Sequence, residues 1–255
     1  MRIALFANNW VAWKIVEEVA RSGHDIACLI LHPVEHRRYG AEILEAAGLS
    51  PEYVLDAGDL SVRALAEAVS VVHPDLGLSV FYGYILPQQI LDLFPGGVLN
   101  LHPSYLPHNR GAYPNVWSIV EGSPSGVTLH YVDAGVDTGD IVAQQTVPVE
   151  AVDTGESLYR RLEQACVDLF TEYWPRVLAG TVTRTPQGAG TGSYHRKADV
   201  LALDEIDLDR TYKAREFLDI IRARTFPPYP GAYFWDGDRK VSIRVELRYE
   251  GLSDE

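Results

Sequence analysis

Two cysteines and one methionine are all the sulfur in this 255-residue chain. Cys28 and Cys166 stand far apart in apolar periodic stretches with no C-x-x-C spacing, which argues against a disulfide framework and against a zinc site. No histidine pair has H-E-x-x-H or comparable ligand spacing, so no metal is expected. No apolar run approaches the roughly 18 residues of a membrane span. The opening Met1-Arg2-Ile3-Ala4-Leu5-Phe6-Ala7 reads as a first strand and is followed by no cleavage site, so a cytoplasmic protein with no membrane partner is expected. Positive charge is also scarce: 22 Lys and Arg face 35 Asp and Glu, a net charge of −13. Such a balance disfavours nucleic-acid partners, whose phosphates are gripped by a basic face. A single small nucleotide stays compatible, because a few cations or a helix N-terminus can hold one diphosphate.

What is present is a rhythm of short apolar runs and amphipathic helices. Residues 3–7, 26–31, 76–81, 98–102 and 127–132 read as strands, alternating with helical patterns over 13–21, 41–47 and 64–71. This predicts an α/β fold, a Rossmann-like mostly parallel sheet with helices on both faces. Sites in such sheets form beyond the C-terminal strand ends, which singles out the loops 8–10, 82–87 and 102–114. Residues 141–149 read as a further strand and 155–178 as a long helix, with Leu158, Leu162, Ala165, Leu169 and Tyr173 on one face. A Thr, Gly and Pro-rich stretch follows, then a helix over 211–223 and an alternating strand over 241–247. The expected organisation is a catalytic domain over 1–180, a linker over 181–192, and a small C-terminal α+β subdomain over 193–255.

The densest chemistry lies within 98–140. An amide (Asn100), an imidazole (His102) and a carboxylate (Asp137) arrive at the ends of neighbouring predicted strands. These groups suit holding a developing oxyanion and managing a proton. The order Asn100-x-His102-Pro103-Ser104-x-Leu106-Pro107, then Arg110-Gly111, Gly126-Val127-Thr128 and Asp137-Thr138-Gly139-Asp140 closely resembles the formyltransferases that use 10-formyltetrahydrofolate. That family includes the glycinamide ribonucleotide, methionyl-tRNA and sugar N-formyltransferases.

The resemblance implies catalytic positions at Asn100, His102 and Asp137, the last being the first aspartate of its run, with 10-formyltetrahydrofolate as formyl donor. Tyr82, Gly83, Tyr84, Ile85 and Leu86 then correspond to the loop that holds the pterin end of the folate through backbone groups. Asp133 and Asp140 are placed beside it, Asp140 also as the start of the next strand or a support of the loop. Read as residues alone, the tyrosines and Leu86 could equally cap a helix that starts near Pro87. His130, His73 and His24 read as ordinary strand or turn histidines.

The Tyr-Leu-Pro-x-Asn-Arg-Gly-x-x-Pro-Asn form of residues 105–115, and Phe226-Pro227-Pro228-Tyr229-Pro230-Gly231-Ala232-Tyr233, look like the sugar N-formyltransferases. The acceptor implied is a nucleotide-linked amino dideoxysugar, carried on dTDP, GDP or UDP, for glycan or secondary-metabolite synthesis. Another amine, such as glycinamide ribonucleotide or a carrier-bound aminoacyl group, is the alternative, as is hydrolysis of the folate. Asn8, Asn9 and Trp10 after the first strand, Ser104, Tyr105, Arg110 and Tyr113 after the catalytic strand, and Arg224, Phe226 and Tyr229 near the end are the substrate-binding candidates. They offer amides, aromatic faces and guanidinium groups for sugar, base and phosphate. A homodimer built with C-terminal elements is a family-based expectation.

Overall fold

The computed structural model describes residues 1–251 apart from Asp59, Ala189 and Thr191. Two positions of the expected linker and the last four residues of the expected C-terminal subdomain thus lie outside the described residues. Along the chain run β1 (Arg2–Ala7), α1 (Asn9–Arg21), β2 (Asp25–Leu31), α2 (Gly40–Ala47), β3 (Val54–Asp56), α3 (Val62–Val71), β4 (Leu76–Val80), α4 (Gln88–Leu91) and β5 (Val98–His102). There follow β6 (Arg110–Gly111), α5 (Pro114–Val120), β7 (Gly126–Tyr131), β8 (Ile141–Thr146), α6 (Gly155–Leu178), β9 (Tyr194–His195), α7 (Lys197–Leu201), α8 (Ala214–Ala223), β10 (Tyr233–Asp236) and β11 (Arg239–Ser242).

These elements build two compact units interleaved in sequence. One comprises Met1–His102, Val127–Gln145 and Glu163–Ala189; the other comprises Pro103–Gly126, Thr146–Leu162 and Gly190–Glu255. The first carries a seven-stranded sheet of order β3-β2-β1-β4-β5-β7-β8. Its pairs β2/β3, β1/β2, β1/β4 and β4/β5 are parallel, and β5/β7 is antiparallel. Alternation along β1 explains why both faces are covered. Ala4 and Phe6 join a buried cluster with Leu65 and Val69 of α3, Ile90 of α4, Phe94 and Val98. Ile3 and Leu5 point the other way and are equally buried, and α1 touches β1, β2 and β4 with Val11, Ile15, Val16 and Val19 buried. Phe6 meets Tyr82 and Phe94 edge-on at centroid distances of 5.3 and 6.1 Å, and burying a ring of this size contributes about 2 kcal/mol.

In the second unit, β6 pairs with β9, α5 packs against α8, and the Trp117 and His195 rings stack at 3.9 Å. A small core of Ile206, Ile220, Ile221 and Ala232 underlies the β10–β11 hairpin. The strand expected over 241–247 is instead the return arm of this hairpin, ending at Ser242. Its turn is Gly237-Asp238, with Gly237 at φ +60°, so Gly237-Asp238 is the informative dipeptide. Helix α6 has the expected bounds, but Trp174 is buried where Tyr173 was placed on the apolar stripe. The stripe drifts because Cys166, Phe170, Trp174 and Val177 continue it at i+4 and i+3 steps. Among the described residues no helix is long and apolar enough to cross a membrane.

Candidate active site

The arrangement of β5 and β7 builds the site. Residues two apart on a strand share a face, so Asn100 and His102 project together. Antiparallel pairing sets His130 directly opposite Asn100 and Thr128 opposite His102. Side chains of directly opposed residues meet on one face. Asn100 Nδ2 accordingly lies 3.0 Å from His130 Nε2, while Leu101 and Leu129 turn to the opposite face and are buried.

Asp137 arrives from the loop between β7 and β8. Its Oδ1 accepts from Asn100 Nδ2 at 3.5 Å and lies 3.7 Å from His130 Nε2; its Oδ2 lies 3.6 Å from His102 Nε2. The three residues expected from the sequence therefore form one cluster with a fourth, His130. A non-glycine residue in the left-handed region is held there by its surroundings, and Asp137 has φ +53°. Asp133 closes the loop on itself, its carboxylate accepting from the Gly135 N–H at 3.0 Å and the Thr138 hydroxyl at 2.6 Å. Gln187 Nε2 donates to the carbonyls of Asp137 and Gly139 at 2.9 and 2.8 Å. Gly139 passes so close to β7 that an added Cβ would lie 2.0 Å from the Tyr131 carbonyl oxygen. Residues expected to be mere linker thus clamp the Asp137 loop, and Thr185 also bridges Ile141.

Burial pushes the His130 imidazole down to about 4, outweighing the opposing attraction of Asp137. An unfolded imidazole takes its proton near pH 6.5, so on acidification the unfolded chain is protonated first. The stability from this neutral buried ring is complete above about pH 6.5 and drains away as pH falls toward 4, by up to about 3 kcal/mol. Melting temperature should therefore fall more steeply over that window in the wild type than in His130→Gln; parallel curves would contradict the assignment.

The loop beyond β4 divides into two parts. Tyr82 and Leu86, expected at the folate, have side chains in the apolar cluster, and burial raises the Tyr82 hydroxyl well above its ordinary value. The Tyr82 carbonyl is bonded by His32 Nε2, and the His32 ring packs against both Tyr82 and Tyr84. Gly83, Tyr84 and Ile85 are exposed, Ile85 to 76%. Gly83 has φ +72°, and a Cβ there would meet only His32 Cε1 at 3.8 Å. This run offers open backbone and an aromatic face to a flat ring. The Asp140 carbonyl accepts from the Tyr131 N–H, making Asp140 part of the β7 ladder, while Asp133 is engaged in its own loop.

Several substrate candidates are occupied elsewhere. Asn8 Oδ1 accepts from the Arg38 N–H at 2.9 Å, and its Nδ2 lies 3.1 Å from His32 Nδ1. Asn9 is buried at φ +78°; its Oδ1 accepts from the Val11 and Ala12 N–H groups and its Nδ2 donates to Glu163. In this structure both amides satisfy the start of α1 and the neighbouring loop. Trp10 is half-buried.

In the second unit, Arg224 has partners within the fold. It forms a two-point ion pair with Asp204, both side chains being largely buried, and donates to the Pro230 carbonyl. Phe226 lies between Tyr159 and Tyr229 at centroid distances of 5.5 and 5.3 Å. Tyr229 and Tyr113 are exposed, Tyr105 half-buried and Ser104 buried, and Arg110 belongs to β6. Tyr113 sits at the start of α5 with φ +57°.

Set beside known proteins, residues 1–173 match the family model described as formyl transferase, and residues 199–249 match an N-formyltransferase dimerization C-terminal domain. A methionyl-tRNA formyltransferase of Koribacter versatilis (strain Ellin345) is 33% identical, over 92% of this chain and 80% of its own length. A Mycobacterium tuberculosis structure, named as an inferred sugar N-formyltransferase, is 29% identical over 98% of this chain and 97% of that one, with a TM-score of 0.79. The formyltransferase PseJ from Anoxybacillus kamchatkensis, in complex with UDP-4,6-dideoxy-4-formamido-L-AltNAc and tetrahydrofolate, is 31% identical over 79% of this chain and 89% of that one, with a TM-score of 0.59.

Proposed function

This chain belongs to the formyl transferase family, and we propose that it moves a formyl group from 10-formyltetrahydrofolate to the amine of a nucleotide-linked amino dideoxysugar. The observation that carries the reading is the clustering of Asn100, His102 and Asp137 at the end of β5. The folate supplies the formyl carbon and a nitrogen that leaves with a proton. A new C–N bond to the amine forms as the old one breaks, and the amine surrenders the proton that the leaving nitrogen takes.

The protein's groups act around that exchange. Asn100 and His102 place N–H donors where the formyl oxygen gains negative charge. Asp137, 3.6 Å from His102 Nε2, orients the ring and offers an oxygen for the proton in transit. The exposed Gly83-Tyr84-Ile85 run receives the flat end of the folate, its backbone unencumbered at Gly83. In the second unit, the exposed rings of Tyr113 and Tyr229 remain candidates for apolar contact with the acceptor.

The sugar acceptor draws support from the likeness to PseJ, whose complex contains a nucleotide-linked formamido sugar, and from the net charge of −13, unsuited to gripping tRNA. The 33% identity to a methionyl-tRNA enzyme favours a second reading, an aminoacyl-tRNA acceptor. Incubation with 10-formyltetrahydrofolate and amino sugars linked to dTDP, GDP and UDP, beside methionyl-tRNA and glycinamide ribonucleotide, separates them by mass. A formyl increment on a sugar nucleotide is expected; formylation of tRNA alone would overturn the acceptor, and free formate alone would overturn the transferase. We also infer a cytoplasmic homodimer, supported for the pairing by the match of residues 199–249 to a dimerization domain.

A further inference from the structure

The shape of an asparagine side chain is nearly the same with its oxygen and nitrogen exchanged, so packing alone does not decide which end of Asn100 faces the reacting atoms. Hydrogen-bond chemistry decides it. His130 Nδ1 lies 2.8 Å from the Tyr131 carbonyl oxygen, which only accepts, so Nδ1 carries the ring proton. In the neutral ring Nε2 is then a bare acceptor, and the Asn100 atom 3.0 Å away must be the amide nitrogen. The Asp137 carboxylate oxygen at 3.5 Å likewise takes only a donor. Two independent partners demand the same orientation.

We propose that His130 is a positioning residue for formyl transfer, its Nε2 lone pair holding one Asn100 N–H so that the other is aimed at the formyl oxygen. That second N–H is held by Asp137 only at 3.5 Å, the outer limit of a hydrogen bond, so little is lost when developing charge on the formyl oxygen takes it. The device needs a ring that stays neutral. Beyond the Tyr131 carbonyl and Asn100, the groups charged or titratable toward His130 are Asp137 and Asp133, which favour its protonation, and His102, which opposes it; burial outweighs both aspartates. It also needs the exact β5/β7 register, since a slip of one residue would set Leu129 or Tyr131 opposite Asn100.

The inference rests on the formyl-transfer reading, and two measurements separate their fates. Nitrogen-15 NMR of the histidine rings should find His130 as the neutral Nδ1–H tautomer at pH 6; an Nε2–H tautomer would overturn the proposal whatever the activity. In kinetics, His130→Leu removes the acceptor and should lower kcat tenfold to about a hundredfold, as misaligned catalytic groups do, with both KM values within about threefold of wild type. His130→Gln, which restores an acceptor oxygen, should recover most of the loss. In an Asn100→Ala background the same His130→Leu change should cost no more than about twofold; an undiminished loss there would show a general structural effect and overturn the assignment. If the leucine variant fails to fold, His130→Gln in both backgrounds and the tautomer decide. Wild-type protein that formylates no amine in the acceptor panel fails the functional reading alone, while the tautomer still tests the bond to Asn100.

Discussion

Asp137→Asn is expected to lower kcat by about a thousandfold, within the range that a positioned acid or base supplies. The substitution keeps the shape of a side chain that is only 14% exposed and removes its charge, so the melting temperature should move little. What is lost is specific. The carboxylate takes the weakly held N–H of Asn100 and stands 3.6 Å from His102 Nε2, whereas an amide there can turn a competing donor toward either. Steady-state kinetics with saturating folate and acceptor measures the effect, and a loss smaller than about tenfold would remove Asp137 from the proton path.

His102→Asn carries the second large effect. An asparagine keeps an N–H donor at the end of β5 but relays no proton near neutrality, so it separates charge stabilisation from proton transfer. A fall of about 100-fold to 1,000-fold in kcat is expected, read by steady-state kinetics with both substrates saturating. A loss smaller than about tenfold would show that His102 is a donor only and relays no proton.

The parts of the molecule that could be read in one dimension are those that local pattern controls. Helix α6 begins and ends at the expected residues because a 3.6-residue stripe and flanking glycine and threonine mark it. The parallel sheet was legible because strands buried on both faces are continuously apolar, as in β1 and β2. Asn100 and His102 are two residues apart on one strand, so their shared face needs only the pleat. The hairpin of β10 and β11 has a local signal as well, the Gly237-Asp238 turn between its strands.

Other residues were illegible for a different reason. His130 looks like any strand histidine until β7 pairs antiparallel with β5 and sets it against Asn100. Gln187, in a stretch with the composition of a linker, matters because the chain returns to the Asp137 loop 50 residues away. Asn8, Asn9 and Arg224 have the side chains a ligand site would use, yet a backbone N–H, a carboxylate or a carbonyl inside the fold claims each of them. Which polar groups are spent on the protein's own backbone depends on what three-dimensional proximity brings to them.

Composition, periodicity and one ordered motif were enough for the fold class and for the chemical character of the site, because strand alternation, helical period and charge balance are properties of neighbouring residues. Pairing register and loop closure supplied the rest: the placement of Asp137 against His102, the fourth member His130, and the internal partners of Asn8 and Arg224. Those depend on hydrogen bonds between segments distant in sequence, whose partners no local pattern specifies.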